Sequence, residues 1–420
     1  MASVLLPEGW TEDALVRVSD AGLITEVHAG GRAPGADTER LRGVVVPGMT
    51  NAHSHAFQRA MAGASEYRLS TQDSFWTWRQ AMYGLANRIE PEALTAIATQ
   101  LFVEMLKAGY TSVAEFHYIH RRVDGAAYAG DNALWDAVTD AAVNAGIGLT
   151  FLPTLYQTSD FGDRPLRRDQ ARFALQTDQF VRAVAARVQS ERQAGSRPLR
   201  TGAAFHSLRA VPVSSLRAAS LQLHEVDAAL PVHIHVAEQR REVEACRQET
   251  GRRPIELLLE SGVLTPHWCL IHATHATPAE LAGIAGYGAT VCVSITTEAN
   301  LGDGFFDTHR YLRADGRLCI GSDSQATVSP AEELRWLEYQ QRLKRKRRGV
   351  LATSRDAHVG TRLWRDAALH GAQALGQAVG TIAVGRRADW LVLDPEHPSL
   401  AGCAADAALD HLVFAGASAA

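Results

Sequence analysis

Residues Val44 to His55 read VVVPGMTNAHSH: a β-branched run, a proline–glycine step, then two histidines separated by one serine. The composition is that of a buried strand whose polar end faces out of the sheet. Seven more runs of this kind follow: TSVAEFHY from Thr111, GIGLTFLPTLY from Gly146, GAAFHSL from Gly202, PVHIHVAE from Pro231, WCLIHATH from Trp268, GATVCVSI from Gly288 and RLCIGSDS from Arg317. Between them lie segments of helical character, at Pro91–Ala108, Asn132–Ala145, Ser214–Ala229, Arg240–Ser261 and Pro278–Gly286. Pro91 and Pro278 stand where proline suits a first helical turn. Strand and helix in alternation imply parallel βαβ units. Eight such strands imply a closed (β/α)8 barrel of the TIM type rather than an open sheet.

The chain is longer than a barrel needs: 420 residues against about 250. Before Val44, ALVRVSDAGLITEVHAGG alternates like an antiparallel hairpin, and after the helical stretch Arg355–Leu375, GTIAVGRRADWLVLD has the same short-strand character. Both ends therefore predict one small β-sandwich domain beside the barrel. The expected division is 1–46 and 378–420 for that domain, the latter part short, and 47–377 for the barrel.

The bulk chemistry excludes several classes. A net charge of −4 gives no field to gather nucleic acid or an anionic membrane. The basic run Lys344 to Arg348 follows the amphipathic stretch Pro330 to Leu343 and reads as a helix end whose cations complement the dipole. Cys246, Cys269, Cys292, Cys319 and Cys403 are odd in number and widely spaced, which argues against a disulfide framework and for a reducing compartment. No apolar run approaches the roughly 20 residues of a membrane span, and MASVLLPEGW lacks the features of an export signal. The expected location is cytoplasmic.

Chemistry gathers where the candidate strands end, the face on which barrel enzymes place their sites. His53 and His55 alternate along one strand and so project to the same side, and neutral imidazoles suit zinc or another borderline divalent ion. In HIHVAE, His235 lies nearer the strand end and is the expected ligand. His233 lies deeper and reads as a core histidine. Glu238 falls in the following loop, as a carboxylate that handles a proton or as a first-turn helix acid. His272 ends WCLIH, with His275 just beyond, and Asp323 ends the last strand, where it can add an oxygen ligand and accept a proton. Alone, each feature is weak; the ordered set at strand ends carries the reading.

Those residues, in P-G-M-x-N-x-H-S-H, H-x-H-x-x-E, a later strand-end histidine and G-S-D, resemble the amidohydrolase superfamily. The combination of HSHAFQRAMAG, DSFWTWR, VEMLKAGYTSVAEFHY, FHSLRAV, HIHVAEQ, IHATHA, TTEANLGDG and EELRWLEY is similar, more closely, to the N-formimino-L-glutamate deiminases of bacterial histidine degradation, from about Leu5 to about Ala415. That resemblance implies hydrolysis of formiminoglutamate to formylglutamate and ammonia by a homodimer. It implies one divalent ion, zinc being expected and iron or manganese also suited, on His53, His55, His235 and Asp323. Glu238 and His272 correspond to the proton-handling pair, and Gln58, Arg79, Tyr118, His206 and Arg209 to substrate contacts. Two departures stand out. Gln325 occupies a place where histidine is expected, and VCVSITTEAN differs from the usual run before TTEAN. The chain also stops at Ala420 where relatives add a strand, so altered stability or dimer contacts are expected.

The implied substrate carries two carboxylates and an amidine. Arginine answers a carboxylate with a bidentate fork, which suits Arg79 and Arg209. A bound ion would bring the pKa of its water towards about 7. Asp323 or His272 would take the proton, His272 would stabilise the tetrahedral intermediate, and Glu238 would protonate the departing nitrogen. Which of the two takes the first proton stays open, because coupled sites share their titration. A guanine, cytosine or triazine deaminase is the nearest alternative, with Trp76 and Trp78 as stacking partners instead of entrance packing. A non-catalytic barrel scaffold is the other, and the intact set of ligand candidates and Glu238 speaks against it.

Overall fold

The computed structural model describes every residue except 31–34, 36–37, 68–73, 130–131, 195–197 and 417–420. Gly31 of the hairpin run and Asp73 of DSFWTWR lie outside the described residues. The stretch from Val44 divides at its proline–glycine step. Val44–Pro47 belongs to the small sheet, and Met49–Ser54 is the first barrel strand, buried along its whole length. The single strand expected there is thus two, because Pro47 ends one pairing and Gly48 lets the chain turn into the other.

Around the barrel follow Tyr110–His117, Gly148–Leu155, Ala203–Ser207, Val232–Val236, Trp268–His272, Thr290–Val293 and Arg317–Ile320. Each is parallel to its neighbour, in chain order. Parallel strands covered by helices are buried on both faces, which is why these runs read as nearly continuous apolar stretches. A short strand, Leu199–Thr201, adds to the edge of Gly148–Leu155.

The last strand meets the first without a regular ladder. One parallel bridge, Ser54 with Asp323, joins them. The amides of Ser322 and Asp323 both donate to His53 O, at 3.1 and 3.0 Å, and His55 N donates to Asp323 O at 3.1 Å. Gly321 makes the approach possible: a Cβ there would lie 2.7 Å from His53 Cβ and 2.8 Å from its N and O. Any side chain would push the seam open.

Local chemistry sets the helix limits. Pro91–Ala108 begins with its proline in the first turn and ends at Gly109, φ 103°, the left-handed conformation that glycine adopts without strain. Pro278–Gly286 is opened by Thr277 and Glu280, which exchange side-chain and backbone hydrogen bonds as a capping box. The stretch expected as one helix over 240–261 is two, Arg240–Thr250 and Pro254–Glu260, because Gly251 (φ 71°) stops the first and Pro254 starts the second. The stretch from Arg355 becomes helical only at Val359–Leu375. The basic run ends the helix Pro330–Arg345, with Lys344 and Arg345 facing Asp307 at 3.8 and 3.1 Å. Phe75–Ala86 and Thr177–Ala194 are further helices that the strand pattern did not announce.

Both chain ends build one sheet, in the order Trp390–Leu393, Val44–Pro47, Ser3–Leu6, Gly9–Glu12. The hairpin Leu15–Val18 with Ile24–His28 lies beside it, over a small core of Val4, Leu6, Ala14, Ile24, Val45 and Ile382. Beyond Leu393 the described chain forms no further strand. Ala408–Phe414 is a helix packed against Val359–Leu375 and Pro330–Arg345. Among the described residues no helix is long and apolar enough to cross a membrane.

Candidate active site

The C-terminal ends of the barrel strands bring His53, His55, His235, His272, Glu238 and Asp323 into one buried pocket. His55 Nδ1 donates to Phe116 O at 2.8 Å and His235 Nδ1 to His206 O at 2.7 Å. Burial favours the neutral ring: it pushes the His55 pKa down to about 3 and that of His235 well below the usual range, with His53 adding to both shifts. With each Nδ1 proton committed to a carbonyl, each Nε2 presents a bare lone pair.

These two lone pairs face each other at 3.3 Å, so the contact is no hydrogen bond. His53 Nε2 lies 3.1 Å from His235 Nε2, and Asp323 Oδ1 lies 3.4 and 3.5 Å from the Nε2 atoms of His53 and His55. Four donors at tetrahedral zinc distances would be separated by about 3.3 Å. Electron pairs packed this closely repel unless a cation lies among them, and three imidazoles with one carboxylate suit a borderline divalent ion. The residues present fit a metal.

The second cluster faces the same centre. His272 Nδ1 lies 3.1 Å from Glu298 Oε1, and its Nε2 lies 3.9 Å from Glu238 Oε1 and 3.8 Å from Asp323 Oδ2. Burial opposes a charge on His272, yet Glu238, Glu298 and Asp323 outweigh it and push the pKa up to about 10. For Glu238, burial dominates, Asp323 adds to it and His272 opposes, leaving the carboxyl raised to about 7. Burial would also raise Asp323, but His53, His272 and His55 hold it well below the ordinary carboxylate range. Glu238 is not a helix-opening acid. That place belongs to Glu242, whose carboxylate accepts the amides of Ala237 and Glu238, both at 3.1 Å.

Backbone strain gathers at the same place. Ala237, His272, Ala273, Asp323 and Gln325 have φ of 51°, 69°, 49°, 46° and 62°, a left-handed region that non-glycine residues rarely occupy and that recurs at functional sites. Behind Asp323, Gln325 stitches the barrel seam. Its Nε2 donates to Asp323 O (2.7 Å) and Ser54 Oγ (3.0 Å), and its Oε1 accepts from Ser322 Oγ (2.6 Å). Ser54 Oγ in turn donates to the buried Glu115 at 2.6 Å, and Asn51 Nδ2 donates to Ser322 Oγ at 2.6 Å. The departure at Gln325 therefore falls on a residue that holds the backbone of Asp323 and not on one of the clustered donors.

Beside the donors lies a polar and aromatic wall. Gln58 Nε2 donates to Tyr118 OH at 3.0 Å. The Tyr118 ring lies edge-on to His55 at 5.1 Å, and the His206 ring lies 5.1 Å from His235 and 4.5 Å from Tyr156. Arg209, in the turn after the fourth strand, is buried, and Arg79 comes from the helix Phe75–Ala86. Both guanidinium groups have a buried Nε without a partner, and among the described residues neither forms an ion pair. Burial lowers the Arg79 pKa and Arg209 adds to the lowering, so the two cations feel each other. Trp76 lies between them, 4.5 Å from Arg79 Cζ and 5.7 Å from Arg209 Cζ. Trp78 instead packs against the core.

Every residue expected at the site is thus near it, while His233 is a core residue bonded to Ala374 O at 2.8 Å. His275 turns aside, to a second cavity shared with Arg241 and Asp303. Sequence reasoning passed over Glu298, Tyr83 and Tyr156. Glu298 lies inside TTEANLGDG, and a carboxylate in that motif was an available signal. Tyr83 lies one turn from Arg79 on an unannounced helix, and its hydroxyl, with that of Tyr156, accepts from Gln170 at 3.3 and 2.8 Å.

Residues 44–418 match the model of the amidohydrolase family. The chain is 47% identical to the formimidoylglutamate deiminase of Pseudomonas aeruginosa over 412 residues, 98% of this chain and 89% of that protein. It is 25% identical to a 5-methylthioadenosine/S-adenosylhomocysteine deaminase of Shouchella clausii, over 93% of this chain and 80% of the relative. Among solved structures, an amidohydrolase from Brucella melitensis superposes with a TM-score of 0.90 at 40% identity, covering 99% of this chain and 90% of that one.

Proposed function

The chain belongs to the amidohydrolase family, and on that premise we propose that it hydrolyses N-formimino-L-glutamate to N-formyl-L-glutamate and ammonia, a step of histidine degradation. One observation carries the choice of substrate: the buried Arg209 and the half-buried Arg79 form no ion pair among the described residues, and each keeps a buried Nε without a partner beside the donor cluster. Burying unpaired charge is costly, and a small molecule with two carboxylates removes that cost.

We propose that one divalent ion, zinc, is held by His53, His55, His235 and Asp323; when bound, such an ion supplies the Lewis acidity that makes water nucleophilic near neutral pH. The chain's own groups do the rest. Arg79 and Arg209 bind the carboxylates, and Gln58, Tyr118 and His206 line the path between them and the amidine. Asp323 turns Oδ1 towards the imidazoles and Oδ2 towards the protonated His272, so it takes one proton from water and later returns it to the departing nitrogen. His272, fixed through Nδ1 by Glu298, offers Nε2 to the oxygen of the tetrahedral centre. Glu238 delivers a proton to the amidine nitrogen, and the C–N bond breaks with ammonia leaving. The sum is one water consumed, one C–N bond cleaved and one formyl C=O formed.

A nucleobase substrate fits less well, because the Trp76 ring lies under guanidinium groups and not open to a base. We further propose a homodimer acting in the cytoplasm; of the expected division into 1–46 with 378–420 and 47–377, the helix Ala408–Phe414 departs by packing on the barrel helices. Light scattering on purified protein tests the dimer.

The direct test mixes zinc-loaded protein with N-formimino-L-glutamate and follows ammonia, with His235→Ala as control. Rapid release that disappears in the control is expected. Protein shown to carry metal that releases no ammonia would overturn the substrate assignment and turn attention to nucleobases.

A further inference from the structure

We infer that Trp76 is a positioning residue: its indole holds two mutually repelling arginines in place for one dianion, and Arg241 caps the same ring from the rim. The inference rests on the dianionic substrate proposed above and goes beyond it, to the way the anion site is built.

The half-buried Arg79 and the buried Arg209 repel; Glu242 and Glu238 offset the charge of Arg209 without forming an ion pair with it, and something must hold the two forks in register. A carboxylate would do so, but it would also occupy the N–H forks and cancel the charge that the substrate needs. An aromatic face avoids that conflict. It attracts a guanidinium through its quadrupole and leaves the in-plane N–H donors free.

The geometry follows this logic. Arg79 Cζ and Arg241 Cζ each lie 4.5 Å from the Trp76 ring centroid, and Arg209 Cζ lies 5.7 Å away. Trp76 and Arg79 are three residues apart on one helix and so share a face. Phe75 meets the indole edge-on at 5.1 Å and steadies it. Arg241 belongs to a different element, the helix Arg240–Thr250, two residues past Gln239 and three past Glu238. It is exposed, and among the described residues its side chain forms no hydrogen bond or ion pair. The Trp76–Arg241 contact therefore ties the helix that carries Arg79 to the loop that carries Glu238. One ring thus relates the carboxylate-binding end of the site to the proton-donating end.

The test compares Trp76→Phe, Trp76→Leu and Arg241→Gln on two amidines: N-formimino-L-glutamate, with two carboxylates, and N-formiminoglycine, with one. For Trp76→Leu, KM for the dianion rises about ten-fold, kcat changes far less, and KM for the monoanion moves little. Preference for the dianion therefore shrinks. Trp76→Phe restores most of the preference, since a smaller aromatic face remains, and Arg241→Gln gives a smaller rise in KM together with a weaker dependence on salt. Inhibition by glutarate weakens in step with KM, a readout that needs no chemistry on the dianion.

A Trp76→Leu protein that melts like the parent yet keeps its preference and its glutarate affinity would overturn the inference. So would an equal loss on both substrates. A parent protein that binds glutarate through Trp76 but releases no ammonia would sink the formiminoglutamate reading and leave the platform standing.

Discussion

The two halves of the barrel mouth are held by different means. On the metal-facing half, most groups are tied to fixed partners: His55 to Phe116 O, His235 to His206 O, and the backbone of Asp323 to His53, His55 and Gln325, while His53 Nδ1 has no partner. On the anion-facing half, Arg79 lies on the faces of Trp76 and Tyr83 and Arg209 on that of Trp76, without ion pairs among the described residues and with N–H groups left over. Donors whose separation decides affinity for an ion are fixed before it arrives. Donors that must close on a flexible substrate keep their bonding capacity free. The difference teaches that unspent donors on charged side chains, gathered at a strand-end site, point to a ligand where a satisfied group points to scaffold.

The sharpest way to test this division is at the residue between the halves. Glu238→Gln keeps the shape but removes the proton, and kcat is expected to fall roughly 10²- to 10⁴-fold with metal content unchanged by elemental analysis. A variant within a few-fold of the parent would remove Glu238 from proton transfer. Next in size is the anion half. Arg209→Met removes one charged fork, and losing hydrogen bonds to a charged group costs about 1.5–3 kcal/mol, so KM should rise by one to two orders of magnitude. Metal affinity, read by chelator competition, should not move; if it does, the two halves are not separable.

The smallest effect belongs to the scaffold behind the metal half. Gln325→Ala should speed loss of metal to a chelator about ten-fold, at the low end for groups that support ligands, while kcat of freshly loaded enzyme stays close to the parent. Gln325→His puts back the residue that the motif led one to expect. It can satisfy Asp323 O or Ser322 Oγ but offers fewer contacts than the amide, so an intermediate rate is expected. A Gln325→Ala protein that retains metal as the parent does would show that the seam holds without the amide.

The clustering of His53, His55, His235, His272 and Asp323 was legible because strand periodicity is local. His53 and His55 differ by two residues, and each of the other donors stands at the end of its own apolar run. Arg79 and Arg209 were legible only through resemblance, since nothing in WTWR or HSLR by itself says that the guanidinium groups will be buried. The partnership of His272 with Glu298 depends on the register between neighbouring strands and on the turn that follows the second of them, and neither is set by local periodicity. The same holds for Ser54 with Glu115, 61 residues apart. The break at Gly251 and Pro254 was written in the chain, but a strong amphipathic pattern on both sides hid it. The step from Val46 to Met49 was masked likewise: both strands are apolar, and only their partners tell them apart.

The seam between the last and first strands has a consequence for how the protein is made. Asn51 and Ser322, which meet across it, are 271 residues apart in the chain, so the contact forms only when nearly the whole barrel sequence is present. His53, His55 and Asp323 sit on the two sides of that junction. A nascent chain still missing its eighth strand has three imidazoles but no closed pocket, and so no complete place for an ion. The contact that closes the barrel is thus also the one that completes the donor cluster.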